Sequence, residues 1–316
     1  MMIRRTCAML GIGLFAAGAI LAADIPTPGG EDYERSVETR LRASLLPRDW
    51  ILAAEAMSSD ANPDERSALI SKAAAAAPDD VLVQWLATET LPREPSRARR
   101  LIAMEPDNAA HWLPLLVTQV EANDIAAVDM TLAKMAAATR FDEHHRDHLL
   151  AWADAYLRYP PVEEGPNDRL LADSVEGRLG DGPEPAFPLL SATCDPAKAG
   201  VIWAASRREN CAAIARRMVE GRTIDAQIVG YAILRRTGQN TPQDDTTHNA
   251  RRWLWDQWAA LVPDLISDPG YSSWWLEEWR TTGVEIEIFR HRVERGGRPT
   301  EPPPGWQPAR PKPRNP

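Results

Sequence analysis

The sequence predicts an all-α fold: antiparallel helical hairpins that form an array, followed by a C-terminal helical subdomain. Three observations predict it. From Glu105 to Met135 two helical patterns are separated by a polar turn and entered through Pro106. A unit of the same kind stands before it, from Trp50 to Pro78, and another begins at Ala151-Trp152. In the last third, tryptophans fall at helical spacing, Trp255 with Trp258 and Trp275 with Trp279.

The chain opens with Arg4 and Arg5, an apolar run from Cys7 to Leu21, then Ala22-Ala23 and the polar Asp24. A charged start, a short apolar stretch and a small-residue end describe a secretory signal peptide over residues 1–23. The run is short for a spanning helix, which needs about 20 apolar residues. Leu21 at the −3 position of a cut after Ala23 keeps an uncleaved membrane tether as the alternative. Cys7 lies too early to be a lipoprotein cysteine. With no glycosylation sequon, a bacterial periplasm is the expected compartment. Loss of residues 1–23 removes two arginines and no acid, moving the formal net charge from −9 to −11. Basic pairs such as Arg99-Arg100, Arg216-Arg217 and Arg251-Arg252 sit among acids and read as solvated faces. Nucleic acid is therefore not an expected partner.

Residues 24–40, with Pro26, Pro28, Gly29 and Gly30, read as a linker. Helices are expected near Tyr33–Leu46, Asp49–Ser58 and Glu65–Ala77, the last ending in an alanine run of high helix propensity. In the central stretch, Asp107 and Asn108 after Pro106 are helix-capping residues. Trp112, Leu115 and Leu116 then mark one apolar face. Asn123-Asp124 is a turn signal, and Val128, Leu132 and Met135 form a second stripe. Helices joined by so short a turn pack antiparallel.

This stretch resembles a tetratricopeptide repeat, whose period is roughly 34 residues. Trp112 and Leu115 match the family's aromatic and leucine, Asn123-Asp124 its acidic turn, and Leu132 its large apolar residue. Leu116, Val128, Met135 and Arg140 depart from its small residues and closing proline. Trp50 to Pro78 spans 28 positions, the family's aromatic-to-proline spacing, with Ala53 and Ala73 at packing positions. Pro78 to Pro106 is also 28 positions, a truncated unit with Trp85 one place late. Trp152 and Tyr156 begin a further unit. The resemblance covers about Leu45 to Tyr159 and implies an array over residues 41–160 with a protein or peptide partner.

Pro160-Pro161, Gly165-Pro166 and the Gly/Pro-rich stretch from Gly177 to Pro188 mark a connection over 161–190. Residues 191–297 read as a second helical region. Its helices are expected at Cys211–Gly221, Ile224–Arg236 (Thr223 capping its start, Gly238 closing it), Ala250–Leu261, Tyr271–Thr281 and Glu285–Arg295. Gln239 to Thr247 reads as a polar loop. Residues 298–316 form a proline-rich, disordered tail.

Cys194 and Cys211 are the cysteines left after processing, and an exported chain pairs them. Geometry sets a condition. Asp195-Pro196 looks like a helix start, and a helix unbroken to Arg208 would rise about 18 Å, too far for a bridge. The segment must bend back, for instance at Gly200, or the thiols stay free.

His144 and His148 in the HHRDH stretch stand at i, i+4, a spacing that binds zinc on one helix face. HExxH is absent and no third ligand is evident, so the reading is a polar outer helix face, with no metal site and no cofactor. Trp253, Trp255, Trp258, Trp274, Trp275 and Trp279, with Glu277 and Glu278 among them, read as core packing. Sugar stacking with catalytic acids is the alternative. No GxSxG, Walker loop or GxGxxG is present.

Together these features lead to the expectation of a non-catalytic, exported interaction or scaffold module of the cell envelope. The competing expectation is a glycan-binding or glycan-cleaving protein that uses the Trp-rich region. Two carboxylates facing one cleft beside exposed indoles would distinguish the second.

Overall fold

The computed structural model describes residues 30–57, 62–91, 94–159, 175, 186–198, 205–261 and 270–308. Among them are fourteen α-helices, one 3₁₀ turn and no named strand. The fold is all-α. No described helix is long and apolar enough to cross a membrane. The proposed signal at 1–23, most of the 161–190 connection and the end of the tail lie outside the described residues.

Helix α1 spans Gly30–Ala43, α2 Pro47–Ala56, α3 Pro63–Ala76, α4 Val81–Thr90 and α5 Pro95–Met104. A 3₁₀ turn at Ala109–Trp112 leads into α6, Leu113–Glu121, followed by α7, Ile125–Ala137, and α8, His145–Arg158. Beyond the connection come α9, Phe187–Thr193, α10, Ala205–Val219, α11, Ile224–Thr237, α12, Pro242–Ala259, α13, Tyr271–Thr281, and α14, Glu285–Arg295. Many starts are fixed by the residue before the helix. The side chains of Asn62, Asp80, Asp124 and Thr223 each accept a backbone N–H of the first turn, a cap worth about 1 kcal/mol. Gly238, at φ 66°, closes α11 in the left-handed region where glycine carries no steric cost.

From α1 to α7 each helix packs on the next, and α2 also touches α4. α8 folds back onto α1, α2 and α13, while α7 packs against α10. One apolar core runs from Val37 and Leu41 through Leu132 and Trp152 to Cys211, Ile233 and Trp279. It is therefore continuous across the two segments that flank the connection. A smaller cluster joins Leu254, Ile286, Phe289 and Val293. α10 and α11 approach each other closely. A methyl group on Gly230 would lie 2.7 Å from the Ala215 carbonyl oxygen. Gly230→Ala is expected to cost roughly 1–3 kcal/mol, measured as a shifted urea midpoint with unchanged slope, although alanine is the better helix former.

Several expectations need correction. The segment 24–40 is not all linker, because α1 begins at Gly30; Val37 and Leu41, four apart, are 1% and 0% exposed and anchor an otherwise charged helix. Gln239–Thr247 is not all loop. Thr241 and Asp244 form a reciprocal capping box with Pro242 in the first turn, and α12 starts there. The tail is ordered at its beginning: Trp253 Nε1 donates to the Pro299 carbonyl at 3.0 Å and its ring meets Trp306 edge-on. In the central unit, Leu113 and Leu116 carry the buried face, while Trp112 and Leu115 are half-buried. The 3₁₀ turn shifts the register there.

Candidate functional site

The backbone of the EPDN segment and the chain after α7 zip together. Ala109 N donates to Arg140 O at 2.9 Å, and the Thr139 and Arg140 amides both donate to Asp107 O. The buried Asn108 side chain locks the pair: Nδ2 donates to Asp142 O at 2.8 Å and Oδ1 accepts from Asp142 N at 3.0 Å. It also caps the 3₁₀ turn through Ala110 N. As a result Glu105, His111 and His144 meet.

His111 is fully buried and His144 is 5% exposed. Their Nε2 atoms face one another at 2.8 Å. Glu105 Oε2 lies 3.4 Å from His111 Nε2 and 3.5 Å from His144 Nε2. His111 Nδ1 faces the Leu101 carbonyl oxygen at 3.2 Å, and His144 Nδ1 faces Asp147 Oδ2 at 3.8 Å. Trp85 covers both rings. Arg140 Nη2 lies 2.7 Å from Glu105 Oε2, and Asn108 Nδ2 also donates to that oxygen. Arg140 is further paired with Asp107 and Asp142. His144 takes a left-handed backbone, φ 56°, immediately before α8, with its amide held by Asp142 Oδ1. Burial, reinforced by the neighbouring His144, pushes the His111 imidazole down to about 3. The neighbouring His144 imidazole holds Asp147 below the usual carboxylate range. A cavity of about 450 Å³, lined by Arg48, Asp80, Glu105, His144 and Asp147 among others, adjoins the cluster.

Behind this centre lies a further buried carboxylate. Glu143 accepts the Thr223 hydroxyl on Oε1, while its Oε2 is buried with no hydrogen-bond partner among the described residues. Burial raises its carboxyl to about 7. Desolvation, with repulsion from Glu143, raises Glu89 to about 8. An unfolded glutamate titrates near about 4.3. Because the folded value is the higher, Glu89's contribution is full below the unfolded value and is lost as pH climbs towards about 8. Glu89→Gln is expected to raise the melting temperature at about pH 8, by about 2–4 °C per kcal/mol recovered, and to change it little at about pH 4. Thermal melts at the two pH values check this.

The i, i+4 histidines do not share a site. His148 Nε2 pairs with Glu55 Oε2 at 2.7 Å, and Trp152 Nε1 donates to the same oxygen. Neither histidine lies on a polar outer face, since both are buried. α8 docks on α2 and the EPDN segment, so the side thought to face water faces the core.

The Trp-rich region forms a cavity of about 250 Å³ between α8, α12, α13 and α14. Trp275 and Trp279 are each 4% exposed, whereas Trp255, Trp258 and Trp274 are half-buried. Trp258 stacks on Phe289 with ring centres 4.4 Å apart, and the Arg292 guanidinium lies over Tyr271 and Trp274. Glu277 and Glu278 do not enter. Glu277 is exposed and Glu278 pairs with His291 at 2.7 Å. Asp225 and Glu285 line the cavity instead, and Glu285 also accepts the Ile224 amide.

Of the residues singled out for packing, Ala53, Ala73, Leu132, Trp85 and Trp152 lie in the core. Trp50 is half-buried, its Nε1 donating to Ser44 O at 2.7 Å with Lys72 over its ring. Pro78 and Pro106 are exposed, just beyond the ends of α3 and α5. Cys194 and Cys211 form a disulfide with Cα atoms 5.7 Å apart. Glu105 and His111 were not legible as partners of His144. Their contacts span more than thirty residues and depend on loop pairing, which leaves no short motif. The chain matches no known family model, curated protein or solved structure.

Proposed function

We propose that the chain is an exported, non-catalytic interaction module of the bacterial cell envelope, built as a tetratricopeptide-like array that binds a protein or peptide. The succession of packed helix pairs from Pro47 to Ala137, with α2 reaching α4, carries this reading. Stacked helix pairs expose an extended surface, and such surfaces serve as scaffolds. The buried cysteine pair and the Arg4-Arg5 apolar start support an oxidising compartment. Leu45 and Leu46, 89% and 51% exposed at the turn into α2, offer apolar anchors at the array's edge. The test is crosslinking of the mature chain in its own envelope fraction, followed by mass spectrometry. A specific protein partner, lost on Leu45→Asp/Leu46→Asp, is the expected result; recovery of nothing specific overturns it.

One observation favours a second reading. Two carboxylates, Asp225 and Glu285, line the aromatic cavity beside half-buried indoles, an arrangement suited to a polar ring ligand such as a wall glycan. Titration with soluble wall-glycan fragments, followed by indole fluorescence, decides it. A saturable change abolished by Trp274→Ala supports glycan binding, and a flat titration removes it.

A further inference from the structure

At the Glu105 centre the proton of His111 is placed by an outer partner. The Leu101 carbonyl can only accept, so His111 carries its proton on Nδ1 and leaves a lone pair on Nε2. His144 Nδ1 lies 3.8 Å from Asp147 Oδ2, near enough to feel its charge and too far for a hydrogen bond. The His111 Nε2 lone pair thus faces His144 Nε2 at 2.8 Å, and either a proton on His144 Nε2 or a cation shared by both rings can fill the space between them. Glu105 Oε2 completes a triangle with edges of 2.8, 3.4 and 3.5 Å. A tetrahedral ion with bonds of about 2.0–2.1 Å needs ligand edges of about 3.3–3.4 Å. Two edges already fit, and the third needs the rings to part by about half an ångström.

We propose that His111 Nε2, His144 Nε2 and the Glu105 carboxylate bind a divalent transition metal of the zinc type, with water from the adjoining cavity in the fourth position. The donor set suits such an ion: two neutral imidazoles and one carboxylate are borderline ligands. The Leu101 carbonyl at His111 Nδ1 fits as well, because ligating histidines donate their second N–H to a carbonyl or carboxylate; Asp147 stands on the corresponding side of His144. Glu105 and His144 line both the triangle and the cavity, so solvent reaches the open side. Arg140 and Asn108 share Glu105 Oε2. They hold the carboxylate in place, and Arg140 is the cation that would neutralise it without a metal. The proposal does not depend on the interaction reading above.

The test titrates the chelator-treated mature chain with Co²⁺ and Zn²⁺, following cobalt d–d bands and calorimetry. The expected result is one equivalent per chain, lost in His111→Gln and in His144→Gln and retained in His148→Gln and His291→Gln. Asp147 is 53% exposed, so Asp147→Ala keeps the fold; it is expected to weaken binding about 10–100-fold. Absence of d–d bands in the unmutated chain, or binding undiminished by His144→Gln, overturns the proposal. If the histidine variants fail to fold by circular dichroism, Asp147→Ala decides, and unchanged affinity there counts against the site.

Discussion

Trp152→Ala is expected to lower the stability of the folded chain by about 3–5 kcal/mol, the largest effect of any single substitution argued from this structure. Trp152 is 1% exposed on α8 and stacks on Tyr156 at 5.7 Å. Its Nε1 reaches Glu55 on α2, while Tyr156 beside it reaches Glu34 and Tyr33 on α1. Removing the indole opens a cavity at the junction and takes a donor from Glu55, whose Oε1 already lacks a hydrogen-bond partner among the described residues. Trp152→Phe separates the two terms: it keeps most of the packing and loses only the N–H, with an expected cost of about 1–2 kcal/mol. Urea unfolding of the three proteins checks this. Equal losses for the two variants would mean that the hydrogen bond, and not the packing, dominates.

Local chemistry made much of the fold legible. Thr223 caps α11 and Gly238 ends it because both acts need only neighbouring residues. The same holds for the Asn123-Asp124 turn, where Asp124 caps α7 and Asn123 takes φ 54°. What escaped the sequence depends on distant partners. The first turn of α1, from Gly30, reads as linker, and the helix expected from Tyr33 shows what it buries only once Val37 and Leu41 find the core. The histidines of HHRDH read as an outer face until α8 docks, after which His144 turns to Glu105 and His148 to Glu55. The pairing of Asn108 with Asp142 that builds the centre joins side chain and backbone 34 positions apart. No periodicity encodes such a contact.

Reduction of the Cys194–Cys211 bridge is expected to cost about 3 kcal/mol, the chain-entropy value for a loop near this size. The two cysteines are 17 positions apart and both wholly buried. Over the described residues 195–198 the helix suggested by Asp195-Pro196 does not form. Asp195 Oδ1 accepts the Ala197 amide at 3.0 Å and Lys198 N bonds back to Asp195 O, forming a turn in place of a first helical turn. α10, Ala205–Val219, carries Cys211, whose Cα lies 5.7 Å from that of Cys194. α9 has only seven residues, too few for independent stability. Phe187 and Leu190 pack it into the core, and the bridge ties its end to α10. Cys194→Ala/Cys211→Ala should therefore unfold at a lower urea midpoint than the oxidised chain, and with a steeper slope, because the unlinked denatured state exposes more surface. Dithiothreitol should move the unmutated chain to the variant's curve and leave the variant unmoved. An oxidised chain whose midpoint does not respond to reductant would show that packing around α9 suffices without the crosslink.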